Sequence, residues 1–297
     1  NYLQSELQKY DYNCCHIQLS QCIHTIANLD NLRHINNDEY NRINLHMKAG
    51  TAIREISERT DALALLSVAE VRRNRFRFNK EDPNQKEPED VLTDTPPDKV
   101  AYVLDSLKSP DEIDSLRAIY GRAFFVISIF TPRTQRLSVL SQKIAHSRTD
   151  IGAKENCKSE AERLITIDEK ESGTKYGQNV RETFPKADFF LDASHPQNIR
   201  GQLDRFLKLL FNNRFMKQSK DEVGMFYAES SSWKSGDLAR QVGASIMTEE
   251  GELVATGCNE VPKAFGGYYW DGDTPDHRDL ALGYDVGTFQ KRMMVAE

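Results

Sequence analysis

The chain lacks the features that would place it in a membrane or a secretory route. A bilayer-spanning helix needs about 20 consecutive apolar residues, and no run approaches that length in the 297 residues. No signal-peptide pattern opens it. Cysteine is sparse, with five residues at irregular spacing, which points to a reducing, cytoplasmic setting. Positive charge is in deficit: a net charge of -6 argues against non-specific nucleic-acid binding, which needs a basic face. There is no internal repeat and no low-complexity tract. The glycine loop G-x-x-x-x-G-K-[ST], whose backbone N–H groups wrap phosphates, is missing, so no phosphotransferase activity follows from these residues.

What is present is a soluble α/β pattern of two domains. Cys14, Cys15, His16, Cys22 and His24 lie close in sequence, but adjacent strand residues face opposite ways and no second ligand pair follows. Buried structural thiols are the reading adopted. The run Arg72-Arg73-Asn74-Arg75-Phe76-Arg77 reads as the solvated end of a helix.

The spacing predicts a helix over 1–12, a strand from Cys15 to Leu19, and a helix over 38–60 interrupted near Gly50. Asp61 is a cap for a helix from Ala62 to Val71, and the charged, Pro-rich residues 78–98 are a loop. Val100 to Asp105 and Phe124 to Phe130 read as buried strands, each followed by a helix, and Ala187 to Asp192 as another strand. This rhythm predicts a parallel sheet with helices on both faces. Ligands bind beyond the carboxyl ends of such strands, where Ser20, Asp105 and Thr131 are expected to gather.

Ser235 to Trp270 reads as two buried strands, Ala239–Ile246 and Leu253–Gly257, joined by an acidic turn with Gly251. A polar loop then opens on Cys258-Asn259-Glu260. The wording RQVGASI…ATGCNEVPKAFGGYYW resembles the opening hairpin of the zinc-dependent cytidine/deoxycytidylate deaminases. It is most similar to the bacterial anti-phage dCTP deaminases, which fuse a P-loop kinase-like domain to a deaminase domain. The resemblance extends to Arg54-Glu55, Asp61-Ala62-Leu63, Tyr102 to Arg136, and Gly177 to Asp192.

The resemblance implies a P-loop kinase-like parallel-sheet domain over 1–215, then the first part of a cytidine-deaminase-like α/β/α domain over 222–297. It implies hydrolytic deamination of dCTP or dCMP to the uracil nucleotide in anti-phage defence, a Zn²⁺ cofactor, a homo-oligomer and regulation by a small RNA. In the first domain Asp105 would serve a Mg²⁺-bound nucleotide while Arg133 and Arg136 grip phosphate. In the second, Arg240 would meet a phosphate, Asn259 the sugar hydroxyl, and Glu260 would orient the loop. Trp270, Tyr268 and Tyr269 would stack on a base or pack. The zinc signatures H-x-E and P-C-x-x-C are absent. The expectation is therefore that the zinc ligands and the P-loop lie outside these residues. The alternatives are a nucleoside or nucleotide kinase and a non-catalytic nucleotide sensor.

Overall fold

A computed structural model of the chain describes residues 2–26, 38–80, 97–148, 154–171 and 173–296. The chain divides into two compact units, Asn1–Asn213 and Arg214–Glu297. Among the described residues no helix is long and apolar enough to cross a membrane.

Unit 1 opens with helix α1 (Tyr2–Gln8), strand β1 (Asn13–Gln18) and helix α2 (Leu19–Ile26). Helices α3 (Glu39–Ile56) and α4 (Ala62–Lys80) lead to strand β2 (Val100–Asp105). β1 and β2 pair in parallel, from Asn13 with Val100 to Gln18 with Asp105. Helix α5 (Pro110–Tyr120) and strand β3 (Ile127–Phe130) follow, then helices α6 (Arg133–Ser147), α7 (Lys154–Glu169) and α8 (Val180–Thr183). Strand β4 (Phe189–Asp192) pairs in parallel with β3, and helix α9 (Pro196–Leu210) completes the unit.

The α/β alternation is therefore present, but the single parallel sheet expected from it is not. The ladders are two separate two-stranded pairs, β1–β2 and β3–β4. The strands are also less buried than their apolar wording suggests, since two of the four β3 residues are exposed. β3 and β4 each begin two or three residues later than predicted. Val126 is bonded instead by Asp188, whose carboxylate accepts from the Val126 N–H at 2.7 Å.

Gly50 does not interrupt α3, which is continuous. Gly50 is buried in it, and an added Cβ there would lie 3.5 Å from Leu63 and 3.7 Å from Ile23. The glycine permits close helix packing rather than a break. α4 runs beyond Val71, so the arginine run lies within the helix. Arg75 stands over the rings of Tyr102 and Tyr120 at about 6 Å, rather than in solvent. Ser20 lies inside α2, not at a strand end. Residues 81–96 of the Pro-rich loop lie outside the described residues.

The main packing is helical. Ile144 of α6 and Cys157, Ala161 and Leu164 of α7 form a fully buried cluster. Ile43 and Met47 of α3 close over it, as do Leu137 and Leu140 of α6. Each fully buried aliphatic side chain of this kind stabilises by about 1.5–3 kcal/mol.

Unit 2 is a helix, α10 (Lys220–Ser232), an antiparallel hairpin of β5 (Gly243–Met247) and β6 (Leu253–Cys258), and two short helices, α11 (Asp279–Leu282) and α12 (Val286–Ala296). α10 starts on a capping box, with Ser219 and Glu222 exchanging side-chain and backbone bonds. The hairpin turn falls at Gly251, with φ 96° as expected. Residues 239–242 are not strand, because Asp237 and Asn259 take their backbone groups. The hairpin is also not buried on both faces. Gly243, Ser245 and Met247 face α10, while Ala244 and Ile246 are exposed.

Candidate functional site

In unit 1 the site is built around the loop after β2. Glu112, on the first turn of α5, is fully buried. Its Oε1 accepts from Arg54 Nη2 at 2.7 Å and Nε at 3.2 Å. Its Oε2 accepts from the backbone N–H of Lys108 at 2.6 Å and of Ser109 at 3.1 Å. The Lys108 carbonyl accepts from Asn179 N at 2.8 Å. The main chain at Lys108 is thus held on both sides. A charge pair this buried persists because its remaining lone pairs are filled.

Lys108 projects into a cavity of about 470 Å³ between α3, α6 and α7. Its Nζ donates to Asp168 of α7 at 2.6 Å. Thr131, just past the carboxyl end of β3, also lines the cavity, as do Gln135, Arg136 and Lys143 of α6. Ile43, Met47, Leu140 and Leu164 supply an apolar wall. A pocket of this size, apolar with a few convergent polar groups, is the usual form of a small-molecule site.

The three residues expected in this half divide. Arg136 lines the cavity. One of its Nη atoms donates to Glu169 at 2.8 Å, while its Nε is buried without a partner. Arg133 is tied to α7: its guanidinium lies 3.5 Å from Glu162 and 3.6 Å from Glu169, and donates to Thr166 at 3.3 Å. Asp105 is half-exposed at the end of β2, 3.5 Å from His16 Nε2, and accepts from the Ser106 hydroxyl at 2.9 Å. Ser106 adopts φ 77° there, a left-handed conformation uncommon for serine. Lys108, Lys143 and Asp168 went unnoticed in the sequence. They stand on three separate elements, and lysine on a helix reads as solvated surface.

In unit 2 the segment before β5 and the residues after β6 are joined by two side chains. The Asn259 amide oxygen accepts from Val242 N at 2.7 Å and Ser235 Oγ at 3.0 Å. Its Nδ2 donates to the Arg240 carbonyl at 2.8 Å and to Asp237 Oδ2 at 3.0 Å. The amide's bonding capacity is fully used. Glu260 accepts from the Gly236 N–H with one oxygen and from Val261 N at 2.8 Å with the other. Asn259 and Glu260 therefore fold residues 235–242 back onto the end of the hairpin. The Arg240 side chain is exposed, and no hydrogen bond or ion pair holds its guanidinium among the described residues. Burial, and then Glu260, push the Cys258 thiol above its ordinary value, so it is kept neutral.

Tyr269 is buried beneath Lys263, while Trp270 is 61% exposed. The acidic loop after them is self-paired: Asp273 with Lys263, and Asp276 with Arg278. These cations hold both carboxyls below the usual carboxylate range. Among the described residues no group of three or more His, Cys, Asp or Glu side chains could hold a metal ion. The described residues do not fit the zinc that the resemblance implies. No family model, no curated protein and no solved structure matches the chain.

Proposed function

We propose that the chain is the nucleotide-binding part of a deoxycytidine nucleotide deaminase of the anti-phage type. Unit 1 is its P-loop kinase-like domain, and unit 2 is the substrate-binding opening of its deaminase domain. The observation that carries this is the joining of residues 235–242 to Cys258-Asn259-Glu260, because those two stretches bear the deaminase-like wording and Asn259 bridges them directly. The bridge sets Arg240 beside Asn259, with an unpaired cation available to a phosphate. Direct capture of a sugar hydroxyl by Asn259 requires the ligand to replace the exposed Ser235 or Asp237 contact, both of which water can reach. The zinc ligands would come from residues other than those described, and no chemical step is assigned to the side chains present here. In keeping with this proposal we place the protein in the cytoplasm, acting as a homo-oligomer under small-RNA control.

A second reading, a nucleotide sensor or kinase-like binding module, is favoured by the cavity of unit 1, which has cations at its rim and lies past the end of β3. It is the alternative to the first, since it calls for no deaminase site in unit 2.

The test is dCTP binding by calorimetry to the wild type and to Arg240→Ala. The variant removes an exposed, unpartnered side chain and leaves the fold unchanged. We expect binding weaker by roughly tenfold, as for loss of one phosphate contact. Equal affinity in the two proteins would remove Arg240, and with it the unit 2 site, from the account.

A further inference from the structure

We propose that the cavity between α3, α6 and α7 binds a nucleoside monophosphate, with the phosphate over α6 against Arg136 and Lys143. This rests on the nucleotide-binding reading of unit 1 and adds the charge state of the ligand and the residues that hold it.

The cations decide the class. Three line the cavity, Lys108, Arg136 and Lys143, against one carboxylate, Asp168. Lys108 is already matched by Asp168 at 2.6 Å. Arg136 shares its Nη with Glu169 but leaves Nε buried and unmet. A buried donor without an acceptor costs about 1–3 kcal/mol, and a turn of the guanidinium toward a ligand oxygen in the cavity would remove the cost. Lys143 is exposed and makes no hydrogen bond or ion pair among the described residues; Glu39, whose carboxyl Arg42 first and Lys143 to a lesser degree hold low, is already paired with Arg42. Arg136 and Lys143 stand two turns apart on one face of α6, about 10 Å along the axis. Both are long enough to reach an anion lying over Val139, between them.

Two incompletely matched cations suit the dianion of a phosphate monoester. A triphosphate would bring about four negative charges and set the surplus beside Asp168 and Glu169. The remainder of the cavity suits a nucleoside. Met47 offers a polarisable, adaptable side chain to a flat ring, and Leu164, on whose cluster it packs, continues the same apolar wall. The Thr131 hydroxyl and the Gln135 side-chain oxygen, neither of which donates or accepts in a bond among the described residues, supply polar partners for sugar or base edges.

The experiment is calorimetric titration of the intact protein with dCMP, AMP, deoxycytidine, inorganic phosphate and dCTP. It is repeated on Lys143→Ala and on Val139→Trp, which fills the space over α6 from an exposed position. We expect a monophosphate to bind at least roughly tenfold more tightly than the nucleoside or inorganic phosphate alone. Lys143→Ala should weaken it about fivefold or more and reduce its salt dependence, and Val139→Trp should abolish it. If dCTP binds more tightly than dCMP and is the ligand sensitive to Lys143→Ala, unit 1 still binds nucleotides but the monophosphate assignment is overturned. If neither cavity variant alters the binding of any ligand, the site and the nucleotide-binding reading of unit 1 fall together.

Discussion

Asp61 shows how much one side chain ties together in unit 1. It was expected to cap the helix that follows, and its backbone carbonyl does accept from Leu65 N at 3.2 Å. Its carboxylate turns elsewhere, accepting from Arg59 Nε at 2.9 Å and Nη2 at 2.8 Å, and from the Ser115 hydroxyl of α5. Arg59 first, then Ser115, holds this buried carboxyl below its ordinary value. Because the folded-state pKa is the lower one, the stabilisation is complete above about pH 4 and is lost as pH falls through the depressed value. We expect Asp61→Asn to cost about 1–2 kcal/mol at neutral pH. In urea titrations at pH 7 and pH 3 the gap between variant and wild type should narrow at the lower pH; a gap that stays constant would show that the charge is not what matters. The importance of Asp61 was legible as part of a familiar wording, and its partner Ser115 was not. The same holds for Arg54, whose partner Glu112 lies 58 residues away, a separation no local pattern spans.

Among the elements, neither class was read uniformly well: β2 stands where its wording sets it and β6 ends one residue later, whereas α3 is continuous through Gly50 and α4 runs on to Lys80. Helical faces repeat over many residues, and the helices expected after the strands at Val100–Asp105 and Phe124–Phe130 are present as α5 and α6. The strands are short, four to six residues, and their apolar approach segments read the same as the strands themselves. The contact between α10 and the hairpin depends on a feature that only coordinates reveal. A Cβ on Gly243 would lie 1.8 Å from the Ala228 carbonyl oxygen and 2.5 Å from Ser232 N, both main-chain atoms of α10. Backbone cannot rotate aside, so Gly243→Ala must push the helix off the sheet, at a cost of about 1–3 kcal/mol or more. The two tryptophans, Trp233 and Trp270, both belong to unit 2. Their fluorescence should therefore report the loss as a transition at lower denaturant, while circular dichroism, dominated by the helices of unit 1, keeps its midpoint. A shared, unshifted midpoint would show that the packing of α10 on the hairpin is loose.

Over the whole molecule the two units differ in how they bury apolar surface. Nearly every buried apolar side chain described belongs to unit 1, and Tyr269 alone to unit 2. Trp233, Val254 and Met294 of unit 2 are exposed by 79%, 63% and 74%. Large apolar side chains left exposed in this way are commonly covered by a partner surface, which is consistent with unit 2 being part of a deaminase domain, as we propose. The division into two compact units falls near residue 214, where the chain is polar and weakly patterned. The division of the sheet into two pairs was not legible, since strand spacing carries no record of which edges meet. The most direct test of the account is incubation of the natural gene product with each deoxynucleoside mono- and triphosphate, with and without a zinc chelator, followed by separation of the nucleotides. The account expects deoxyuridine nucleotides from dCTP or dCMP only without the chelator; dCTP and dCMP both recovered unchanged from protein that binds them would contradict it.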